Sequence, residues 1–467
     1  MALSAAETFA EISSTAPPSG PAARIGTALV LGGSVAGMLA ARVLAEHAGA
    51  VVVIERDLAT AQAGPRPGVP QGGQVHVLLG AGLRQLERWF PGFTERAVAA
   101  GAGLVTPERG RAYNDDVPKV QGSADAMLTS TRPFLEQLIR TELRALPNVK
   151  MIAGRVTGLE FDDTAVTAVR YESDGVAGRE PADLVVDALG RASRVSDWLE
   201  AAGWDRPPMT RLATGVNYAT AFFRRPPGEP EIGSALALYG TGRGGSTGGA
   251  IFLAVEDDRY VVMQGGYGDD RPGSTAQDMV ERCRRRLPEP FGHVVANEML
   301  GDVTTYRQGD SRRRDFDSCE RLPARLIPVG DAVASFNPLY GQGMSSAALH
   351  ASALSMYLRS EPDLSVPARD FLALQKVVVD AAWAISTPGD AARAAGAARP
   401  SVGQRLAGWF VGRVVDASVT DLEVNRVFME VTQMLVHPTR LREPATLWRA
   451  VRAMRQRKPD PVLPLER

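Results

Sequence analysis

Residues 27–57 read TALVLGGSVAGMLAARVLAEHAGAVVVIERD: an apolar strand, a glycine-rich turn, an Ala/Leu helix and a second apolar strand ending at Glu55. This is the order of a βαβ mononucleotide-binding unit. Gly32 suits the tight turn, Gly37 suits close packing of helix on strand, and Glu55 stands where an acid can bind ribose hydroxyls. Ser34 replaces the second glycine of the motif, so an ordinary strand-turn-helix stays the alternative to dinucleotide binding. The candidate cofactor-binding residues of this unit are Gly32, Gly33, Ser34, Ala36, Gly37, Glu55 and Arg56.

A second glycine-aspartate site lies far downstream, in RLIPVGDAVASFNPLYGQGMSSAALHASAL (325–354). NAD binding does not need such a site, whereas FAD in an extended pose does. Asp331 would bind the ribityl hydroxyls, and Pro338, Gly341 and Gly343 would let the backbone approach the isoalloxazine ring. The helix that follows would point its amino-terminal amides at the electron-rich edge of that ring.

A third segment, DLVVDALGRASRV (183–195), ends another strand at a point where the chain returns to the cofactor. Each of the three segments alone could be a plain strand-to-turn junction, but the three in this order predict FAD. The candidate cofactor-binding residues of the second and third segments are Asp187, Gly190, Gly330, Asp331, Pro338, Gly341, Gly343 and Met344.

Composition limits the remaining classes of protein. The chain has 467 residues and is 45% hydrophobic, which excludes wholesale disorder and favours two or three structural units. Its net charge is -1, so the chain as a whole does not have the positive potential by which proteins bind nucleic acids. Two cysteines and five scattered histidines form neither a disulfide framework nor a metal-ligand pattern. We therefore expect a cytoplasmic enzyme without metal.

The predicted fold class is α/β, with an α+β substrate domain. A Rossmann-like FAD-binding domain would comprise residues 25–205 and 300–360, with an inserted β-sheet substrate domain at 206–299, since residues 213–268 are rich in strand-forming residues. Residues 361–467 show helical periodicity and predict a helical region. Residues 1–24 are interpreted as a disordered leader. No apolar run is long enough for stable membrane insertion.

The motif order GGSVAG, DALGRAS, VGDA resembles the class A flavoprotein monooxygenases, with the p-hydroxybenzoate-hydroxylase-like fold, over roughly residues 26–360. Arg132, in STRPFLEQLIRTEL, also matches, and the resemblance implies that it contacts FAD. Within that family the chain is most similar to bacterial epoxidases of polyene polyketides in polyether antibiotic biosynthesis. The segments that carry this likeness are RPGVPQGGQVHVLL (66–79), AIFLAVEDDRYVVMQGG (250–266), FNPLYGQGMSSAA (336–348) and VVVDAAWAISTPGD (377–390).

The chain departs from those epoxidases at two places. They often read P-Q-A-R-H-A-H where this chain has Gly72, Gly73 and Gln74 before His76, and they often have His at the position of Gln342. These differences imply a different substrate or regiochemistry. Candidate substrate-binding residues are His76 and Gln342, together with the hairpin positions Ile251, Leu253, Val255, Val261 and Met263. A structural role for His76, and plain sheet core for the hairpin residues, stay the alternatives.

The resemblance implies transfer of one oxygen atom from a flavin C4a-hydroperoxide to an alkene of an apolar polyketide or polyene. Molecular oxygen would be the oxidant, and NADPH or NADH would donate electrons directly or through a flavin reductase. Because the reactive group belongs to the flavin, no catalytic side chain is assigned. Aromatic hydroxylation, a non-oxygenating flavin reductase of the prenyl-chain reductase type, and a redox-inert flavin-binding protein stay open as alternatives.

The tail LWRAVRAMRQRKPD (447–460) predicts an amphipathic, basic helix with Leu447, Val451 and Met454 on its apolar stripe. A helix packed by this stripe is the simplest interpretation. Its arginines would also suit an acidic acyl carrier protein that delivers a tethered polyketide, or an anionic membrane surface.

Overall fold

The computed structural model of the protein describes residues 3–58, 70–121, 126–228, 230–240, 247–393, 402–453, 456 and 458–466. Residues 66–69, which open one of the segments that carry the epoxidase likeness, lie outside the described residues. So do Met454, Arg455 and Arg457 of the tail. The described chain forms a parallel sheet, a large mixed sheet, two small sheets and a carboxy-terminal group of helices, in agreement with the predicted mixed α/β class.

Helices and strands follow one another along the chain as the periodicity of the sequence indicates. The helices are α1 Ala5–Ile12, α2 Val35–Leu44, α3 Gly80–Trp89, α4 Phe93–Ala99, α5 Arg132–Arg144, α6 Val195–Ala201, α7 Ala276–Arg286, α8 Glu289–Val295, α9 Gln342–Arg359, α10 Arg369–Ser386, α11 Pro388–Arg393, α12 Val402–Ala417, α13 Leu422–Thr432 and α14 Pro444–Ala453. The strands are β1 Ile25–Leu31, β2 Ala48–Glu55, β3 Gly103–Val105, β4 Gly110–Asn114, β5 Val117–Pro118, β6 Met127–Thr129, β7 Val149–Ala153, β8 Arg155–Phe161, β9 Val166–Ser173, β10 Val176–Pro181, β11 Leu184–Asp187, β12 Met209–Arg224, β13 Ser234–Tyr239, β14 Gly248–Val255, β15 Arg259–Gly266, β16 Met299–Arg314, β17 Leu326–Pro328 and β18 Ala334–Ser335.

The parallel sheet has the order β17-β11-β1-β2-β7. Strands β1, β11 and β17 are almost wholly buried, as expected for parallel strands covered on both faces. Leu31 pairs with Ile54 and with Asp187, and Asp187 pairs with Pro328. The carboxyl ends of all these strands therefore meet at one edge, which is where ligands bind in open α/β sheets.

The large sheet has the order β18-β16-β12-β15-β14-β13-β4-β5. Asp257 and Asp258, both with positive φ (59° and 49°), form the tight turn between β14 and β15 that the sequence predicts. One face packs on α7 and α8 through residues such as Phe252 and Phe291, whose rings lie 5.1 Å apart. The opposite face is free to line a cavity.

The expected limits of the substrate domain, 206–299, are too narrow. Strand β16, Met299–Arg314, pairs along β12 as an integral part of the sheet, and β4 pairs in parallel with β13. A parallel pair needs a long crossover connection, so strand pairing of this kind is not visible in local sequence patterns. The substrate sheet thus draws strands from both segments that were assigned to the cofactor domain.

The prediction that residues 1–24 form a disordered leader is also wrong for the part that contains α1. Ser4 and Glu7 form a capping box at the start of α1. Phe9 and Ile12, three positions apart, are buried in the main core, where α1 packs on α9 and α10. The S-x-x-E sequence followed by apolar residues at helical spacing was the available signal, because a capping box satisfies two otherwise unpaired backbone amides.

The carboxy-terminal region is helical, as predicted, from α10 to α14. In α14 the buried residues are Thr446, Ala450 and Ala453, whereas Val451 is 49% exposed. The face that packs is therefore rotated by about one residue from the predicted stripe, because small residues allow closer helix approach than Leu and Val. In the described part of the chain, no helix combines the length and the apolarity needed to cross a bilayer.

Candidate functional site

One cavity of about 1410 Å³ extends from the carboxyl ends of the parallel strands, along the large sheet, to α12 and α13. Pockets for a single small molecule usually measure about 300 to 1,000 Å³, so this volume suits a dinucleotide together with a substrate. We call the region around Gly32, Glu55, Arg132 and Asp331 the cofactor end. We call the region walled by Lys119, Val120, Val415, Phe428 and Met429 the distal arm.

The turn after β1 has the close backbone approach that its glycines predict. Gly32 has a φ of 102°, and a Cβ atom there would lie 2.6 Å from the carbonyl oxygen of Ala188. A Cβ atom on Gly37 would overlap the carbonyl oxygen of Gly32. Gly32, Ser34 and Ala36 line the cavity, while Gly33 and Gly37 shape the turn from behind it. The amino terminus of α2 consequently opens toward the cavity, as anion binding requires.

Glu55 and Arg56, at the end of β2, both line the cofactor end. The Glu55 carboxylate accepts hydrogen bonds from the backbone amides of Gly33 (2.6 Å) and Asp57 (2.9 Å). It is therefore held at the glycine turn, in the position expected for an acid that binds ribose hydroxyls. Arg56 is exposed and lies 3.6 Å from the Asp57 carboxylate.

Arg132 begins α5 and has a fixed position at the cofactor end. Its guanidinium donates to the Glu136 carboxylate at 3.0 Å, to the Ser34 hydroxyl at 2.9 Å, and to Nε2 of His76 at 3.2 Å. The Ser34 hydroxyl in turn donates to Glu136 at 2.6 Å. Such a network orients the guanidinium before any ligand arrives.

His76 lines the cavity as a neutral imidazole. Burial, followed by the positive charge of Arg132, lowers the pKa of His76 to about 3. Because Nε2 accepts from Arg132, Nδ1 carries the proton and donates to the carbonyl oxygen of Gln74 at 2.9 Å. The Gln74 side chain accepts from the Thr220 hydroxyl at 2.6 Å, so this loop is tied to strand β12 of the large sheet.

The segment 183–195 lines the cavity with its backbone and with Arg191, but not with Asp187. Gly190 (φ 73°) and Arg191 line the cavity. Asp187, in contrast, is fully buried behind it, where its carboxylate accepts from the Leu189 amide at 3.0 Å and the Ser193 hydroxyl at 2.6 Å. The prediction that Asp187 contacts the cofactor is therefore replaced by a structural role in shaping the loop.

Asp331 lies at the cavity wall with its carboxylate available to a ligand. No described residue donates a hydrogen bond to it, although burial raises its pKa against the opposing charges of Arg132, Arg191 and Arg314. A Cβ atom on Gly343 would lie 3.9 Å from Oδ1 of Asp331, which leaves open space beside the carboxylate. Asp331 is partly buried and has no described donor, and the ribityl hydroxyls of FAD are suitable donors for its carboxylate. The residues present therefore fit FAD.

The loop 338–344 forms the wall opposite the glycine turn. Gly341, with a φ of 66°, directs the chain into α9, and Pro338, Gly343 and Met344 line the cavity beside it. Gly330 does not line the cavity. A Cβ atom on Gly330 would lie 2.6 Å from Cβ of Ala36, so this position requires glycine for close packing. Gln342 is 1% exposed, and neither its Oε1 nor its Nε2 atom has a hydrogen-bond partner among the described residues. This amide is thus placed to bind a ligand.

The hairpin candidates separate into two groups. Ile251, Leu253 and Met263 line the cavity. Val255 and Val261 are buried in a small cluster with Leu253 and do not reach it. Tyr218 and Tyr306, whose rings stack at 6.5 Å, extend the same wall toward the cofactor end.

A buried polar cluster behind loop 338–344 was not predicted. Asn337 donates to both carboxylate oxygens of Asp390 at 3.0 Å and to the hydroxyl of Tyr267 at 2.9 Å, and it accepts from Tyr218 at 3.2 Å. Arg393 donates to Asp390 at 2.6 Å and stacks 4.0 Å from the Tyr267 ring centroid. Asn337 and Asp390 both fall in segments that carried the family likeness, but their contact across 53 residues is not a local pattern.

Comparisons with known proteins agree with this geometry. The family described as FAD binding domain matches residues 26–361. Protein Rv3254 of Mycobacterium tuberculosis is 33% identical over 349 residues, which cover 71% of this chain and 73% of that protein. Kynurenine 3-monooxygenase of Salinispora arenicola is 25% identical over 403 residues, covering 77% and 78% of the two chains.

Solved structures share the fold at low sequence identity. The p-nitrophenol 4-monooxygenase PnpA of Pseudomonas putida has a TM-score of 0.59 at 18% identity, covering 89% of this chain and 99% of its own. The flavin-dependent brominase Bmp2 has a TM-score of 0.58 at 14% identity, covering 91% and 98%. The protein thus has the fold of flavin-dependent monooxygenases and halogenases. At this sequence identity, the structural similarity does not identify its substrate.

Proposed function

The chain belongs to the FAD-binding domain family, and on this premise we propose that it is an FAD-dependent monooxygenase. The proposed reaction adds one oxygen atom of O2 to an alkene of an apolar polyene or polyketide, giving an epoxide and water. The two electrons for the second oxygen atom come from NADPH or NADH, directly or through a flavin reductase. When bound, FAD supplies the activation of oxygen.

Residues of this chain would hold the cofactor by defined contacts. Asp331 would accept hydrogen bonds from ribityl hydroxyls, and Glu55 from ribose hydroxyls, while the amino terminus of α2 faces the pyrophosphate. Arg132 would donate to FAD from a position that its three protein partners already fix. Gln342 offers both a donor and an acceptor to the ring or to the substrate beside it.

The observation that favours an alkene is the lack of an available base in the middle of the cavity. Hydroxylation of a phenol benefits from a base that removes its proton, whereas an alkene needs only correct placement. Among the described residues that wall this region, His76 is held neutral with Nε2 occupied, and burial raises the pKa of Tyr218 and Tyr267. The side chains of Ile251, Leu253 and Met263 complete an apolar wall.

Aromatic hydroxylation is the second candidate, because the Tyr218 hydroxyl at the cavity wall could hydrogen-bond to a phenol. Tyr218 lines the cavity and is connected through Asn337 to the buried carboxylate of Asp390. Because Asn337 accepts the Tyr218 hydroxyl proton in a hydrogen bond, the Tyr218 oxygen could accept a hydrogen bond from a phenol and orient its ring toward the flavin. The relation to kynurenine 3-monooxygenase is compatible with such a reaction.

The test uses FAD-loaded protein, NADPH, a flavin reductase and isotope-labelled oxygen gas with a panel of polyene acids, their esters and alkyl phenols. The proposal expects polyene products heavier by one labelled oxygen per reacted double bond. Labelled products from the phenols alone would establish the second candidate instead. Hydrogenated, unlabelled polyenes would contradict both and indicate a reductase.

A further inference from the structure

The distal arm of the cavity contains a lysine in unusual surroundings. Lys119 directly follows β5, at the edge of the large sheet, and lines the cavity. Its Nζ atom lies 4.4 Å from the centroid of the Phe428 ring on α13, a cation-π arrangement. Around it the arm is walled by the apolar side chains of Val120, Val415, Phe428, Met429 and Leu441.

Lys119 forms no ion pair with any described residue, which sets it apart from Lys376. The ammonium of Lys376 is half-exposed and lies 2.9 Å from the Asp380 carboxylate. Burial alone lowers the pKa of Lys119 to about 8, and no neighbouring charge contributes to that shift. The Lys119 side chain is partly buried with no described anion beside it, and one ring face compensates only part of the cost of taking its charge out of water.

The backbone around Lys119 is fixed on both sides. Its amide donates to the carbonyl oxygen of Ala112 at 2.8 Å, and the next amide, of Val120, donates to Val419 at 2.8 Å. Asn425 of α13 donates to the carbonyl oxygen of Val120 at 2.7 Å. These hydrogen bonds fix the backbone of Lys119 at the junction between the sheet edge and α13, and its side chain lines the cavity from there.

The same cavity is lined by Asp331 at the cofactor end and by Lys119 in the distal arm, with the apolar hairpin wall between them. A ligand that fits this cavity has an apolar chain beside the hairpin wall and an anionic group at the end that lies in the distal arm. The anion would supply the charge that Lys119 lacks, and the chain would lie along Leu253 and Ile251.

We propose that Lys119 binds the carboxylate of the substrate, and that the substrate is a free apolar polyene acid whose chain extends toward the flavin. This inference rests on the proposed monooxygenase function and names its substrate class. It makes Lys119 a specificity-determining residue that acts on binding and takes no part in oxygen transfer. It also disfavours delivery by an acyl carrier protein, because a thioester has no carboxylate.

The experiment titrates oxidised, FAD-loaded protein with farnesoic acid and with methyl farnesoate, which share one carbon skeleton, and follows the change in flavin absorbance. The wild-type protein is expected to bind the acid at least about tenfold more tightly than the ester, equivalent to about 1.4 kcal/mol. Lys119→Met should abolish this preference and leave the affinity for the ester unchanged. Lys119→Arg should keep it, and Lys376→Met is the matched control that should also keep it.

Equal affinity of the wild type for acid and ester would overturn the inference, as would a preference that survives in Lys119→Met. Bound FAD and the thermal unfolding midpoint of each variant separate a loss of recognition from a loss of folding. The readout is binding to oxidised protein, so it is independent of oxygen transfer. A Lys119-dependent preference without labelled products would reject the proposed function alone, and labelled products without the preference would reject the inference alone.

Discussion

Arg132 and Glu55 at the cofactor end of the cavity are held by protein partners, whereas Lys119 in the distal arm is not held in this way by any described residue. At the cofactor end, Arg132 has three side-chain partners and Glu55 accepts from two backbone amides. In the distal arm, Lys119 has only a ring face, and no described residue pairs with its charge. The protein thus preorganises Arg132 and Glu55, while Asp331 at the cofactor end and Lys119 in the distal arm keep their charges available to a ligand.

The largest effect is expected at a glycine of the cofactor end that serves the fold, and it can be compared with a glycine there that serves the cofactor. Gly37→Ala should collide with the Gly32 carbonyl and lower stability by more than about 3 kcal/mol, because two backbone segments cannot separate without cost. A Cβ atom on Gly343 would make only an ordinary contact, 3.9 Å from Oδ1 of Asp331. Gly343→Ala should leave the unfolding midpoint of the FAD-free protein unchanged and reduce FAD binding. Equal losses of stability in the two FAD-free variants would contradict the assignment of Gly37 to folding and of Gly343 to FAD binding.

Asp331→Ala should remove most of the bound FAD. A hydrogen bond to a charged acceptor contributes about 1.5 to 3 kcal/mol, so the dissociation constant should rise roughly ten- to a hundredfold. Absorbance of the purified protein and titration with FAD measure the effect. Asp269→Ala, at an exposed position in the turn that follows β15, is the control. Full FAD occupancy in Asp331→Ala would disprove the role of the Asp331 carboxylate.

The preference for a carboxylic acid should depend on pH through Lys119. Its pKa is lowered to about 8, so the ammonium is charged below that pH and neutral above it, while a substrate carboxylate is ionised above about 5. Affinity for farnesoic acid should be highest between these values and fall as the pH rises through about 8. Methyl farnesoate should show no such decrease. His76 does not titrate in this range, because its pKa is about 3.

The smallest effect is expected at α14. Arg449 is half-exposed and lies 3.8 Å from Asp421, and Arg452 stacks 5.4 Å from the exposed ring of Trp448. Reversing both arginines to Glu should change stability by less than about 0.5 kcal/mol and turnover of a free acid by less than about twofold. A selective loss with a carrier-bound substrate would revive the carrier-protein hypothesis.

The cofactor end was predictable because its signals are local. A glycine turn, a strand-terminal acid and a Gly-Asp turn each occupy a few consecutive residues, and parallel strands bring their carboxyl ends to one edge. Asp187 shows the limit of such reasoning. A strand-terminal acid can face the ligand or cap its own loop, and only the three-dimensional position of its carboxylate distinguishes the two.

The distal arm was not predictable, since its members come from separate parts of the chain. Lys119 lies at a sheet edge and Phe428 on a helix some 300 residues later, and nothing in either local sequence links them. The same reason applies to Asn337 and Asp390, and to strand β16 in the substrate sheet.

Oxygen transfer itself is tested most directly in a single turnover. FAD-loaded protein is reduced without air, freed of excess reductant, and mixed with farnesoic acid and isotope-labelled oxygen gas. The account predicts one labelled oxygen atom in the acid for each bound FAD, at one double bond. Release of an equivalent of hydrogen peroxide with the acid unchanged, or oxygen that derives from water, would contradict it.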